Sequence, residues 1–201
     1  MKEIFIATRN SGKVKEFEAF FQERGLQVKS LLDLPDEIDV VEDGKTFEDN
    51  AIKKAETIGK RIGMPVLADD SGLEVDALQG APGIYSARFA GPKKDDGENN
   101  QKLLRELENV RDEDRTARFV CALAIFFPNG KVQTVRGTCE GKIGYELMGA
   151  HGFGYDPLFK IPNSEQTMAQ LEKHEKNKIS HRAKALLALA DHWDDWAATN
   201  K

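Results

Sequence analysis

The chain has 201 residues, 31% charged and 40% apolar, with a formal net charge of −5. That length supports a single domain, in one piece or two lobes, with a sizeable core. The acidic balance argues against binding duplex nucleic acid, so an anionic ligand needs a local cluster of Lys, Arg and backbone N–H groups. The opening MKEIFIATRN is interrupted too soon for a signal peptide, and no apolar run approaches the ~18 residues of a membrane span. A cytoplasmic protein that binds neither membrane nor nucleic-acid polymer is expected.

Residues 3–8, EIFIAT, read as a strand that runs into the polar turn Arg9-Asn10-Ser11-Gly12. Val14, Phe17 and Phe21 then recur at helical spacing, with Gly25 as the stop. Asn10 and Ser11 are both suited to cap that helix. A strand–turn–helix unit of this kind can hold an anion on backbone N–H groups and the helix dipole, with Lys13 adding a charge. It is not a Walker A loop: GxxxxGK is absent and Val14 follows the lysine. Many helices begin this way, so the loop alone says little about phosphate. A second strand is expected over 27–32. Thr46 and Asp49 then make a near capping box before Ala51, Ile52, Ala55 and Ile58, a helix ending between Gly59 and Gly63. Glu42, just ahead of it, is either a solvated, dipole-stabilising acid or a third carboxylate brought beside Asp70.

The stretch 68–91, ADDSGLEVDALQGAPGIYSARFAG, organises the chain. Asp69 and Asp70 follow an apolar run, and Ser71-Gly72 is expected to break it into a turn. Paired acids at the mouth of a strand are placed like a magnesium site, since this cation takes one or two carboxylates and fills its shell with water or phosphate. The structural alternative is an Asx-type turn. Leu103, Leu104 and Leu107 mark an amphipathic helix. Residues 116–127 and 131–139 read as a hairpin with Asn129-Gly130 as a two-residue loop. That register sets Val120 opposite Cys139 and Cys121 opposite Thr138, so the cysteines point to opposite faces and no disulfide is expected.

In the loop 151–159, HGFGYDPLF, Phe153 between two glycines could lie flat on a ring and Asp156 could accept from a ring N–H. Packing of the same aromatics on the core is the competing reading. A helix from near Thr167 is expected to break over 173–179. Ser180 then caps a last helix that carries His181 and Arg182 in its first turn and turns Leu186, Leu187 and Ala190 inward. A cationic residue at a helix N-terminus opposes the macrodipole, which suggests that Arg182 meets a ligand or carboxylate. His151, His174 and His192 lack metal-ligand spacing and read as surface residues. Alternating strands and helices with one hairpin indicate an α/β protein with a mixed sheet.

Five ordered segments, TRNSGK at 8–13, EDGKTFEDNA at 42–51, the stretch 68–91, GFGYDPLF at 152–159 and EKNKISHRAKAL at 175–186, resemble the inosine triphosphate pyrophosphatase family. The resemblance implies an elongated mixed β-sheet flanked by helices, with two lobes and a central cleft, as one pyrophosphatase domain over 1–201 and usually a homodimer. It implies Mg²⁺-dependent hydrolysis of purine nucleoside triphosphates such as ITP, dITP and XTP to the monophosphate and pyrophosphate. By position, Thr8, Arg9, Asn10, Ser11, Gly12 and Lys13 would cradle the triphosphate, Glu42 and Asp70 would hold the metal, and Asp70 would accept the water's proton. Ser71, Phe153, Gly154, Tyr155, Asp156, Lys176, His181 and Arg182 would bind substrate and select the base. Arg9 departs from the glycine found in many members, which would strain it if the position requires φ > 0. Val41 replaces an acid found in some relatives, leaving Glu42 as the metal-binding match. Two other classes compete: a nucleotide-binding sensor without turnover, against which the intact set Lys13, Glu42, Asp69 and Asp70 argues, and a haloacid dehalogenase-type phosphohydrolase, whose Asp-x-Asp nucleophile is missing because TRN occupies the early strand end.

Overall fold

Each helix of the N-terminal half begins where the sequence offers a polar side chain to its unpaired N–H groups. The structure, a computed structural model, describes residues 2–34 and 38–200. After β1 (Glu3–Ile6), Asn10 caps α1 (Ser11–Gln22), which buries Val14, Phe17 and Phe21. β2 (Gln27–Ser30) follows, and Thr46 with Asp49 forms the expected capping box on α2 (Phe47–Ile62), closed by Gly63 at φ 67°. The sheet continues with β3 (Val66–Val75), β4 (Thr116–Phe126), β5 (Val132–Ile143) and β6 (Phe159–Lys160), in the order β2-β1-β3-β4-β5-β6. β1 is parallel to β2 and β3, whereas β5 and β6 are antiparallel, so the sheet is mixed. The remaining helices are α3 (Asp96–Glu106), α4 (Lys173–Ile179) and α5 (His181–Thr199).

The chain forms two compact units: 1–70 with 122–136 and 185–201, and 71–121 with 137–184. In the first, Phe21 meets Trp193 edge to face with centroids 5.1 Å apart. In the second, Leu73, Val75, Leu103, Leu107, Phe119, Tyr155 and Phe159 belong to one buried cluster. The fully buried Arg115 spans it, donating to the carbonyls of Leu107, Ile143 and Gly144 at 2.7–2.9 Å with its guanidinium 4.1 Å from the Tyr145 ring centroid.

Four local expectations need correction. Ser71-Gly72 does not end a strand: β3 runs unbroken through it to Val75, because sheet pairing overrides a local break signal. The 173–179 segment is itself a helix, started by the Glu172–Glu175 capping box, and only a short 3₁₀ turn follows Thr167. α5 buries Ala185, Leu189 and Trp193, one turn apart, while Leu187 is 64% exposed. The hairpin loop has three residues, 128–130, closed by Phe127 N–H to Lys131 O at 2.9 Å and Gly130 N–H to Phe127 O at 2.8 Å, with Gly130 at φ 87°. The extra residue shifts the register by one, in line with the Arg118–Glu140 pair at 3.0 Å, and sets Phe119 opposite Cys139. The cysteines therefore share a face, and both are free and buried.

Gly59 on α2 shows how tightly the first unit is packed. A Cβ there would lie 2.1 Å from Phe126 Cδ1. Glycine to alanine in a helix normally gains about 1 kcal/mol, but overpacking costs about 1–3 and at this distance the clash dominates. Gly59→Ala is expected to lower Tm by about 2–6 °C in a thermal melt; an unchanged or higher Tm would show that Phe126 can yield.

Candidate functional site

In the first unit, β1 leads into the loop that carries Thr8 to Lys13, and β3 carries Asp69 and Asp70 within the strand itself. Asn10 Oδ1 accepts from the N–H groups of Gly12 at 2.9 Å and Lys13 at 3.1 Å, and Asn10 N–H donates to Thr8 Oγ1 at 3.2 Å. Several loop N–H groups expected to face a ligand are thus spent on shaping the loop. Arg9 is exposed, and the described non-glycine residues with positive φ are Gln79, Lys94 and Asn163, so Arg9 carries no backbone strain.

Because β3 is continuous, Asp69 and Asp70 project to opposite faces of the strand. Asp69, 4% exposed, takes the ammonium of Lys13 at 2.5 Å. Asp70 Oδ2 accepts from Asn50 Nδ2 at 3.0 Å, while Asn50 Oδ1 accepts from Gly44 N–H at 2.8 Å. Asn50 is 1% exposed and ties the 42–44 loop to β3. Lys54 pairs with Glu42 and donates to the Asp69 carbonyl at 2.9 Å. Burial disfavours the charged Lys54, but Asp69, Glu42 and Asp70 outweigh it and raise its pKa. Burial, with further repulsion from Glu42 and Asp69, pushes the Asp70 carboxyl up to about 6 against the pull of Asn50 and Lys54. The folded chain therefore holds this proton more tightly than the unfolded one, and at this group stability falls as pH rises toward 6.

That surplus of buried negative charge is what a cation would relieve. Among the described residues no group of three or more His, Cys, Asp or Glu side chains could hold a metal. Glu42 and Asp70 are the carboxylates gathered around Lys54 and Asn50, and a pair of this kind would suit an ion that completes its shell with water and phosphate oxygens. Asn50 and Lys54 escaped the sequence reading. Their available signal was their i, i+4 spacing on one face of α2, together with a polar Asn in a helix interior.

The second unit carries the remaining candidates. Asp156, 2% exposed, accepts from Phe153 N–H through Oδ2 at 2.9 Å, and Lys176 pairs with the same oxygen. At least this oxygen is engaged by the protein. A Cβ on Gly152, at φ 82°, would fall 2.1 Å from Asp156 Oδ2. Phe153 is 56% exposed, with the Lys176 ammonium 5.1 Å from its ring centroid. Tyr155 turns into the core and donates to Ser86 O at 2.7 Å, its phenol pKa raised by burial. Gly154 N–H donates to Asp96 at 2.7 Å and its carbonyl accepts from Asn100 at 2.8 Å. Ser180 Oγ accepts from Ala183 N–H at 3.1 Å, as a cap does. His181 and Arg182 are buried in the first turn of α5, and His181 stacks on Phe119 with centroids 5.1 Å apart. Ser71 is half-buried on β3. His151, His174 and His192 are exposed, as expected.

Two groups of polar side chains thus emerge, one of acids and lysines around β3 and one around the 152–156 loop and the start of α5. The chain is 56% identical to the dITP/XTP pyrophosphatase of Geobacillus kaustophilus over 97% of its length and 96% of that protein's. It is 52% identical to the dITP/XTP pyrophosphatase of Bacillus subtilis, covering 94% of this chain and 96% of the relative. Among solved structures, the Staphylococcus aureus Ham1 protein superposes with a TM-score of 0.90 at 45% identity, over 96% of this chain and 99% of that one. The model of the Ham1 family matches residues 4–192, and the chain belongs to that family.

Proposed function

We propose that this chain hydrolyses non-standard purine nucleoside triphosphates, ITP, dITP and XTP, to the monophosphate and pyrophosphate, and so cleanses the nucleotide pool. The observation that carries the reading is the acid–lysine cluster around Asp70, in a chain similar over nearly its whole length to dITP/XTP pyrophosphatases. Residues 1–201 act as one domain in two lobes. The first unit takes the triphosphate: the loop from Thr8 to Lys13 offers the α1 N-terminus and the Lys13 charge. Glu42 and Asp70 would hold Mg²⁺, which would supply charge neutralisation at the phosphates and polarisation of the anhydride. Water bonds to the α-phosphorus, the bond to the bridging oxygen breaks, and pyrophosphate leaves with the electron pair. The water's proton passes to Asp70, directly or through a second water, and Asn50 holds that carboxylate in place. Lys54 keeps Glu42 oriented and moderates the repulsion between the acids.

The second unit reads the base. Inosine and xanthine present a 6-oxo acceptor where adenine presents an amino donor, so the donors His181 and Arg182 match the former and oppose the latter. A buried polar mismatch costs about 1–3 kcal/mol. Phe153 stacks on the ring with Ser71 and Lys176 beside it, while Gly154, Asp156 and the core-facing Tyr155 fix the backbone of the loop that binds it. No helix of the described residues is long and apolar enough to cross a membrane, and we place the enzyme in the cytoplasm as a homodimer.

A panel of ITP, dITP, XTP, GTP and ATP with Mg²⁺ and direct product identification tests this. Pyrophosphate from ITP or XTP, abolished by chelation, is the expected result. Orthophosphate as the product would overturn the reaction, and undiminished turnover after exhaustive chelation would overturn the metal.

A further inference from the structure

We infer that Asp96 and Asn100, one turn apart on α3, are positioning residues that clamp Gly154 and thereby set the affinity for the purine. The inference rests on the reading that the 153–156 loop meets the base. Gly154 sits at φ 62°, and beyond its two chain neighbours no atom lies within 4 Å of where a Cβ would be. Neither a side chain nor local crowding restrains it, so its conformation depends on hydrogen bonds from outside. α3 supplies both: Asp96 Oδ2 takes the N–H at 2.7 Å and Asn100 Nδ2 gives to the carbonyl at 2.8 Å. Phe153 is pinned on one side by Asp156, and Tyr155 on the other by Ser86. The clamp therefore holds the link between an exposed ring and a buried one.

Asn100 is 4% exposed and spends its amide nitrogen on two carbonyls, Asp96 O and Gly154 O, both at 2.8 Å. Its Oδ1 is buried without a hydrogen-bond partner. Rotating the amide would set that oxygen against the two carbonyl oxygens, so the chemistry fixes which end faces Gly154. An apolar side chain of similar size would bury no such orphan oxygen; what Asn100 contributes in exchange is its two donated hydrogens. Asp96 is exposed and stands at the first residue of α3, where the helix dipole favours a carboxylate. Loop order established before binding lowers the entropy lost on binding, so the clamp acts on KM more than on kcat.

Steady-state kinetics on ITP and amide exchange at Gly154 test it, in Asn100→Leu, Asp96→Ala and the conservative Asp96→Asn, which keeps an acceptor oxygen. Asn100→Leu is expected to raise KM about five- to twentyfold with kcat within about twofold, and Asp96→Ala to raise it about two- to fivefold. Asp96→Asn should stay near wild type, a rescue that general loss of stability would not produce. If Asn100→Leu fails to fold, the Asp96 pair alone decides the matter. Wild-type KM together with unchanged Gly154 exchange in Asp96→Ala overturns the clamp. Failure of the wild-type enzyme to release pyrophosphate from ITP defeats the functional reading instead, and the exchange rates then judge the clamp by themselves.

Discussion

Asp70→Asn is expected to lower kcat for ITP by at least about a hundredfold, close to 2.7 kcal/mol of barrier, in a protein that folds as well as wild type. The substitution preserves size, and the new amide oxygen can still accept from Asn50, which donates to Asp70 Oδ2 at 3.0 Å. What disappears is the negative charge to which the proposed function gives the metal and the water's proton, the latter role worth about 10²–10⁴ in rate. The fold should not suffer. Burial and two neighbouring acids already push this carboxyl up to about 6, so at neutral pH its charge opposes folding and its removal should hold or raise Tm. Loss of activity with a maintained Tm separates this from a damaged protein. Retention of more than about a tenth of the wild-type rate would mean that Asp70 is neither base nor essential ligand.

The division between Asp69 and Asp70 on which this rests could not be read from their adjacency in the chain. The sequence places two acids side by side, but only an unbroken β3 puts them on opposite faces, one toward Lys13 and one toward Asn50. Ser71-Gly72 hid that continuity because turn chemistry is local while strand continuation is decided by neighbours in the sheet. Lys13 and Asp69 are 56 positions apart, and no periodicity links them. Features whose cause lies within one turn were legible: the Thr46–Asp49 box, the Asn10 cap, and the Val14–Phe17–Phe21 stripe. α5 was misphased because Leu187 looks more apolar than Ala185, yet it is the small Ala185 that is buried. The hairpin register failed by one residue, since Asn-Gly serves either a two-residue loop or the last two places of a three-residue loop closed by a left-handed glycine. Ordered motifs spread over the chain carried the family where single fragments could not.

Arg182→Ala is expected to shrink the ITP-to-ATP ratio of kcat/KM ten- to a hundredfold, about 1.4–2.7 kcal/mol of lost discrimination. Arg182 is 6% exposed in the first turn of α5, an N-terminus whose dipole disfavours a cation. Beside it His181 is stacked on Phe119, and under the proposed function the two donors form the edge that meets the base. A 6-oxo purine can accept from that edge, whereas the adenine amino group meets donors with a donor. Removing the guanidinium takes away attraction for ITP and repulsion for ATP together, and the ratio falls further than either rate constant alone would require. A contact with phosphate predicts otherwise: ITP and ATP share their triphosphate, so both would weaken by the same factor. Measuring both substrates on the one variant separates the two cases, and a ratio equal to that of wild type removes Arg182 from base selection.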